Sequence, residues 1–188
     1  MQIGTRNDFG ELLKIKQLNG FGAEIGVANG SYSELLINNT PIGKLYLIDP
    51  WKDYQDPTAD RGDCYGTQLE QDRRYEFVVN KFKVYGNRVS VLRKESLEAA
   101  NDFEDGHFDF IYIDANHSYD FVKADINAWY SKLNVNGILA GHDYLVGIHG
   151  RDGVKKAVDE FCFKNKHKLY ITGGTKRCPP SWYFIKES

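Results

Sequence analysis

Ile111-Tyr112-Ile113-Asp114-Ala115-Asn116-His117-Ser118-Tyr119-Asp120, IYIDANHSYD, runs from an apolar segment straight into a carboxylate and, three residues on, into an imidazole. An ionised Asp at the end of a buried run costs free energy unless water, a cation or hydrogen-bond donors receive it. The run from Phe108 to Asp114 is too short for a helix and nearly all apolar, as a strand covered on both faces of a parallel sheet should be. Four more runs have this character: Ala23 to Val27, Leu45 to Asp49, Val89 to Arg93 and Ile138 to His142.

Between the runs the pattern turns helical. Ser31-Tyr32-Ser33-Glu34 reads as a capping box opening a helix to about Asn39, and Thr67-Gln68-Leu69-Glu70 opens a longer one to about Phe82. Val122, Ile126, Trp129 and Leu133 form one apolar helical face, and Asp152 starts a further helix through Val154, Ala157, Val158 and Phe161. Strand-helix alternation of this kind implies right-handed βαβ units. The last runs, Leu169 to Thr172 and Trp182 to Ile185, are separated only by GGTKRCPPS, too short for a crossover helix, and should form an antiparallel hairpin. The expectation is a doubly wound, Rossmann-like α/β sheet of seven strands, mainly parallel, with one antiparallel strand from the C-terminal hairpin.

At 188 residues the chain fits one domain, 1–188. Its 24 Lys and Arg against 26 Asp and Glu, net −2, give no electrostatic reason to expect nucleic acid or an anionic membrane as partner, and favour a small molecule. No signal-peptide h-region or membrane-length apolar run is present, so a cytoplasmic protein is expected. Cys64, Cys162 and Cys178 are far apart with no C-x-x-C pair, which argues against a disulfide framework or zinc knuckle; Cys162, among Val158, Phe161 and Phe163, reads as core.

Ligands of open α/β sheets bind outside the carboxyl ends of the strands, and the residues there are chemically rich. Glu24-Ile25-Gly26-Val27-Ala28-Asn29-Gly30 follows the first strand, with two glycines bracketing a turn into a helix. Asp49 ends the second, placed to accept both hydroxyls of a ribose. Glu95 and Ser96 follow the third, Asp114 and His117 the fourth, His142 and Asp143 the fifth. The turn is G-x-x-x-G, not the G-x-G-x-x-G that cradles a pyrophosphate, so a nucleoside without phosphates fits better than a dinucleotide.

E-x-G-x-x-x-G, an acid closing the second strand, the terminal hairpin and IDANHSYD followed by GHD resemble the class I S-adenosylmethionine-dependent methyltransferases. The stretch FDFIYIDANHSYDFVKADINAWYSKLNVNGILAGHDY is similar to the macrocin O-methyltransferase-like small-molecule O-methyltransferases and, more distantly, to catechol O-methyltransferase. The resemblance implies cofactor contacts from Glu24, Gly26, Gly30, Asp49, Glu95, Ser96 and Asp114. The glycine turn would pack on the methionine part, Asp49 would hold the ribose, and Glu95 with Ser96 would lie beside the adenine. It further implies a divalent cation, Mg²⁺ first, held by Asp114 and Asp143 against the acceptor hydroxyl, with His117 as general base.

His142 stands where an oxygen ligand would be expected; the favoured reading has it pointing away, and the other has it ligating a softer metal. Ser96 serves equally as a helix cap, and His117 as a cap or substrate contact. His107 and His167 read as solvated. His149, and Trp51, Tyr54 and Tyr65 on the sixteen-residue connection from Trp51 to Gly66, are candidates for the acceptor pocket, with loop anchoring as the plainer role for the aromatics. Functionally the expectation is methyl transfer to a hydroxylated small molecule by a possible homodimer. The alternatives are a nicotinamide-dependent oxidoreductase, disfavoured by the glycine spacing, and a non-catalytic nucleoside-binding module.

Overall fold

The five apolar runs make the parallel body of the sheet: β1 (Phe21–Ile25), β2 (Lys44–Asp49), β3 (Val89–Arg93), β4 (Phe108–Ile113) and β5 (Leu133–Gly141). β6 (Tyr170–Ile171) and β7 (Trp182–Ile185) complete it in the order β3-β2-β1-β4-β5-β7-β6, with β7 antiparallel to both of its neighbours. The computed structural model describes residues 2–54, 66–145, 152–175 and 178–187. Cys64, Tyr65 and His149 lie outside the described residues.

Period-2 alternation divides the interior into two cores. From β4, Phe110 and Tyr112 join α1 (Phe9–Ile15), α2 (Ser31–Asn39) and α3 (Gln68–Phe82) on one face. Ile111 and Ile113 join α4 (Ser96–Ala100), α5 (Tyr119–Lys132) and α6 (Gly153–Asn165) on the other. With five of the six β4 residues buried, the near-continuous apolar run follows directly.

Several boundaries differ from the sequence reading. β1 stops at Ile25 because Gly26 turns into positive φ, +89°. Leu133, expected on the face of α5, opens β5 and pairs with Phe108; Asn136 at φ 69° then breaks the register before Phe110 meets Ile138. The Thr67–Glu70 capping box forms as expected, but Ser31–Glu34 does not make one. Gly30, left-handed at φ 67°, is the N-cap of α2, and Ser33 spends its hydroxyl on the buried Glu24 carboxyl. Helix α1 was not anticipated, although Phe9, Leu12 and Leu13 give it an i, i+3, i+4 apolar face and Thr5 with Asp8 forms a capping box just ahead of it.

Trp129 on α5 is fully buried and donates its indole N–H to Ser96 Oγ at 2.9 Å, so it joins α5 to α4 as well as filling the second core. Trp129→Ala should cost about 3 to 5 kcal/mol by the usual cavity penalty, read as a shift of the urea midpoint at unchanged slope. A loss below about 1 kcal/mol would mean that this core does not depend on it.

Candidate active site

The carboxyl ends of β1, β2 and β4 are fastened together by backbone. Gly26 N–H donates to Ile48 O at 2.9 Å and Asp114 N–H to Ile25 O at 2.7 Å. A Cβ on Gly26 would lie 2.1 Å from Asp114 O, so only glycine permits this approach. Asp49 then organises the turn: its Oδ2 accepts from the N–H groups of Val27 (2.9 Å) and Ala28 (3.0 Å), and its Oδ1 from that of Trp51 (2.7 Å). Burial raises the Asp49 pKa, opposed by the hydrogen bonds from Ala28, Trp51 and Val27. The Trp51 indole, 1% exposed, closes the arrangement by donating to Ala28 O at 3.0 Å. Trp51 therefore anchors the turn.

Non-glycine residues rarely hold positive φ. Three that do stand just past strand ends at this site: Ala28 (φ 49°), Trp51 (φ 40°) and Asp143 (φ 55°). Strain of this kind persists where the surroundings over-determine it, as the Asp49 hydrogen bonds do for the first two.

The remaining residues expected around a nucleoside divide. Glu95 is exposed enough to meet Lys52 Nζ at 3.0 Å and to accept from the Tyr54 hydroxyl at 2.6 Å, so the segment after β2 reaches across to the end of β3. Ser96 turns its hydroxyl away, donating to Asp125 at 2.5 Å and accepting from Trp129. Glu24, 1% exposed, faces the core and is bonded by Ser33 of α2.

Beyond β4 and β5 the side chains of IDANHSYD and GHD converge. His117 Nε2 lies 3.0 Å from Asp143 Oδ2 and 3.7 Å from Asp114 Oδ1. One donor atom from each of Asp114, His117 and Asp143 falls within 4.8 Å of the others, the only such trio of metal-ligating side chains among the described residues. His142 lies beside this trio without being one of its three donors. Its Nδ1 stands 3.3 Å from Asp143 Oδ2 and 3.8 Å from Asp114 Oδ1, while Nε2 faces Cys178 Sγ at 3.7 Å. Burial raises the Asp143 pKa, but the hydrogen bond from His142 and the charges of His117, His142 and Arg6 together hold it below the ordinary value. The sequence reading missed Arg6, whose NH1 lies 3.8 Å from Asp114 Oδ2.

The other histidines are less solvated than expected. His107 stacks on Phe21 at 4.6 Å between centroids, and His167 stacks on Phe184 at 4.8 Å beside the Tyr130 hydroxyl; burial lowers the pKa of both. Cys162 is core as read, its thiol pushed up to about 12 by burial and the charge of Asp159.

A seven-stranded sheet of this order, with a glycine turn tied to an acid at the end of β2 and polar side chains gathered past β4 and β5, defines the class I S-adenosylmethionine-dependent methyltransferase fold. Residues 23–144 match the family model described as Methyltransferase domain, and the chain belongs to that family. Among solved structures it is similar to an O-methyltransferase of Bacillus cereus crystallised with S-adenosylhomocysteine (TM-score 0.66, 13% identity, covering 96% of this chain and 80% of that one). It is also similar to an rRNA methylase of Streptococcus thermophilus (TM-score 0.63, 15% identity, 97% and 94%). Likeness at this identity concerns the fold. Curated relatives are an uncharacterised protein of Sinorhizobium fredii, 25% identical over 73% of this chain, and one of Acanthamoeba polyphaga mimivirus, 27% identical over 64%. The chain spans 14% and 50% of the lengths of these two relatives. Among the described residues no helix is long and apolar enough to cross a membrane.

Asp49→Ala should leave three backbone N–H groups short of an acceptor and destabilise the fold by about 2 to 4 kcal/mol, with weakened nucleoside binding in the protein that remains folded. Denaturant titration and calorimetry with S-adenosylhomocysteine read the two effects separately; unchanged values in both would remove Asp49 from the centre of the turn.

Glu24 supplies a pH prediction. Burial, with smaller contributions from the charges of Asp114 and Asp49, raises its pKa from 4.5 to about 8 against the lowering by Ser33 and Arg6. Between those values the folded protein holds a proton that the unfolded chain has released, so this group makes stability fall as pH rises from 4.5 to about 8. Glu24→Gln keeps an acceptor for Ser33 and should flatten that slope, gaining most over the parent above pH 8. Parallel melting profiles of the two proteins across this window would contradict the assignment.

Proposed function

We propose that the protein transfers the methyl group of S-adenosylmethionine to a hydroxyl of a small molecule, assisted by a divalent cation. The observation that carries this reading is a juxtaposition: the Gly26–Gly30 turn fastened by Asp49 adjoins, through the Gly26–Asp114 backbone contact, the cluster of Asp114, His117 and Asp143. A net charge of −2 favours a small acceptor over nucleic acid.

Each group has a task its surroundings support. The turn, with its backbone open to close approach, receives the nucleoside's amino-acid end. Asp114 and Asp143 would repel each other if left uncompensated, and with His117 they offer a donor set that fits a divalent cation. Such a cation would lower the pKa of a bound hydroxyl. His117 takes the acceptor proton, and the Asp143 carboxylate, 3.0 Å from its Nε2, stabilises the positive charge gained with it. Holding the hydroxyl in line with the methyl group supplies the remaining advantage through orientation.

A second role for His117 rests on the same trio of donor atoms, in which the imidazole is itself a ligand. An imidazole beside two carboxylates suits Mn²⁺ or Fe²⁺ better than Mg²⁺.

The parent protein should bind S-adenosylhomocysteine in calorimetry and methylate members of a panel of hydroxylated compounds. Chelator should abolish transfer and Mn²⁺ or Mg²⁺ restore it. Asp114→Asn and Asp143→Asn should each weaken Mn²⁺ binding, followed by electron paramagnetic resonance. His117→Ala should cut turnover by about 10² to 10⁴-fold, with Mn²⁺ affinity kept if the imidazole is the base and lost if it is a ligand. Full turnover in metal-free buffer would overturn the cation, and absence of nucleoside binding would overturn the reading as a whole.

A further inference from the structure

Arg6 is held in place with more care than a surface arginine. It opens a 3-10 turn, Arg6–Asp8, that is pinned from both sides. Thr5 N–H donates to Asp8 Oδ2 at 2.7 Å, and the next residue, Phe9, packs its ring on Phe110, Tyr112 and Tyr183 at 5.3 to 5.9 Å between centroids. Tyr32, at the start of α2, lies under the guanidinium at 4.5 Å and donates its hydroxyl to Arg6 O at 2.9 Å. Backbone and side chain are thus tied to one aromatic residue of the helix that follows the glycine turn.

The guanidinium has the Tyr112 hydroxyl as a neutral hydrogen-bonding neighbour, but its engagement with carboxylates is loose. Asp114 is the one carboxylate in ion-pairing range among the described residues, and its 3.8 Å separation is too long for a hydrogen bond. Glu24, a buried acid whose carboxyl feels the Arg6 charge, is bonded by Ser33. The side chain is 28% exposed, so its planar fork of donors is presented to the site with no carboxylate gripping it. It is also well placed, because Asp114 touches Gly26 on one side and belongs to the His117 cluster on the other.

We propose that Arg6 is the receptor for a ligand carboxylate at the methyl-transfer site, an inference that rests on the methyltransferase reading. Two ligands of that reaction can carry the group: the amino-acid end of the nucleoside cofactor, and an acceptor of the hydroxy-acid class. A guanidinium fork matches a carboxylate in two parallel hydrogen bonds, and the Tyr32 ring fixes the plane in which it does so.

The test compares matched ligands on the parent, Arg6→Gln and Arg6→Lys by calorimetry. One pair is S-adenosylhomocysteine and 5′-methylthioadenosine, which lacks the carboxylate. The other, with S-adenosylhomocysteine present, is 3,4-dihydroxybenzoate and its methyl ester. In Arg6→Gln the carboxylate-bearing member of one pair should lose about ten- to hundredfold in affinity while its partner is unchanged, and Arg6→Lys should recover part of the loss. A selective loss in the first pair identifies the cofactor's carboxylate, and one in the second the acceptor's. Equal losses for both members, or no selective loss in either pair, would overturn the proposal and leave Arg6 a structural partner of Asp114. Failure of the parent to bind either nucleoside would instead count against the methyltransferase reading, with the benzoate pair still deciding Arg6.

Discussion

Three backbone N–H groups converge on the Asp49 carboxylate, and the geometry of the site depends on that convergence. Val27 and Ala28 come from the turn after β1, Trp51 from the turn after β2, and the Trp51 indole returns to Ala28 O. A carboxylate that accepts several N–H bonds repays part of its own desolvation. It also holds Ala28 and Trp51 in left-handed conformations that their side chains disfavour. The strain is therefore local to the place where a ligand would meet backbone.

The same economy governs the other strand ends. β1 and β4 approach closely enough at Gly26 and Asp114 that a single methyl group would not fit between them, which brings the glycine turn against the polar cluster. In that cluster Asp143 Oδ2 lies within 3.3 Å of both imidazoles, so charge that would be costly singly is shared. Arg6 extends the group from an unrelated part of the chain, seated on Tyr32. The glycine turn and the polar cluster thus meet over one pair of neighbouring strands, the juxtaposition on which the proposed methyl transfer between two bound molecules rests.

The sequence by itself determined the alternation of elements, the seven strands with their antiparallel member, and the gathering of Gly26, Asp49, Asp114, His117 and Asp143 at one end of the sheet. These follow from local causes: apolar runs of strand length, the Thr67–Glu70 box, and the rule that side chains just past parallel strands face the same end. What only the tertiary structure decided is where each polar atom points. Glu24 turned inward because Ser33, one helical turn into α2, could bond it. Ser96 turned to Asp125 and Trp129 because α5 packs against α4, and His107 and His167 found aromatic faces contributed by residues up to 86 positions away in the chain. Arg6 reached Asp114, and His142 kept its Nδ1 on Asp143, through the folding of distant segments onto strand ends. Backbone pattern is written in short-range periodicity, whereas the partner of a polar side chain is set by which remote group the packing brings within hydrogen-bond reach.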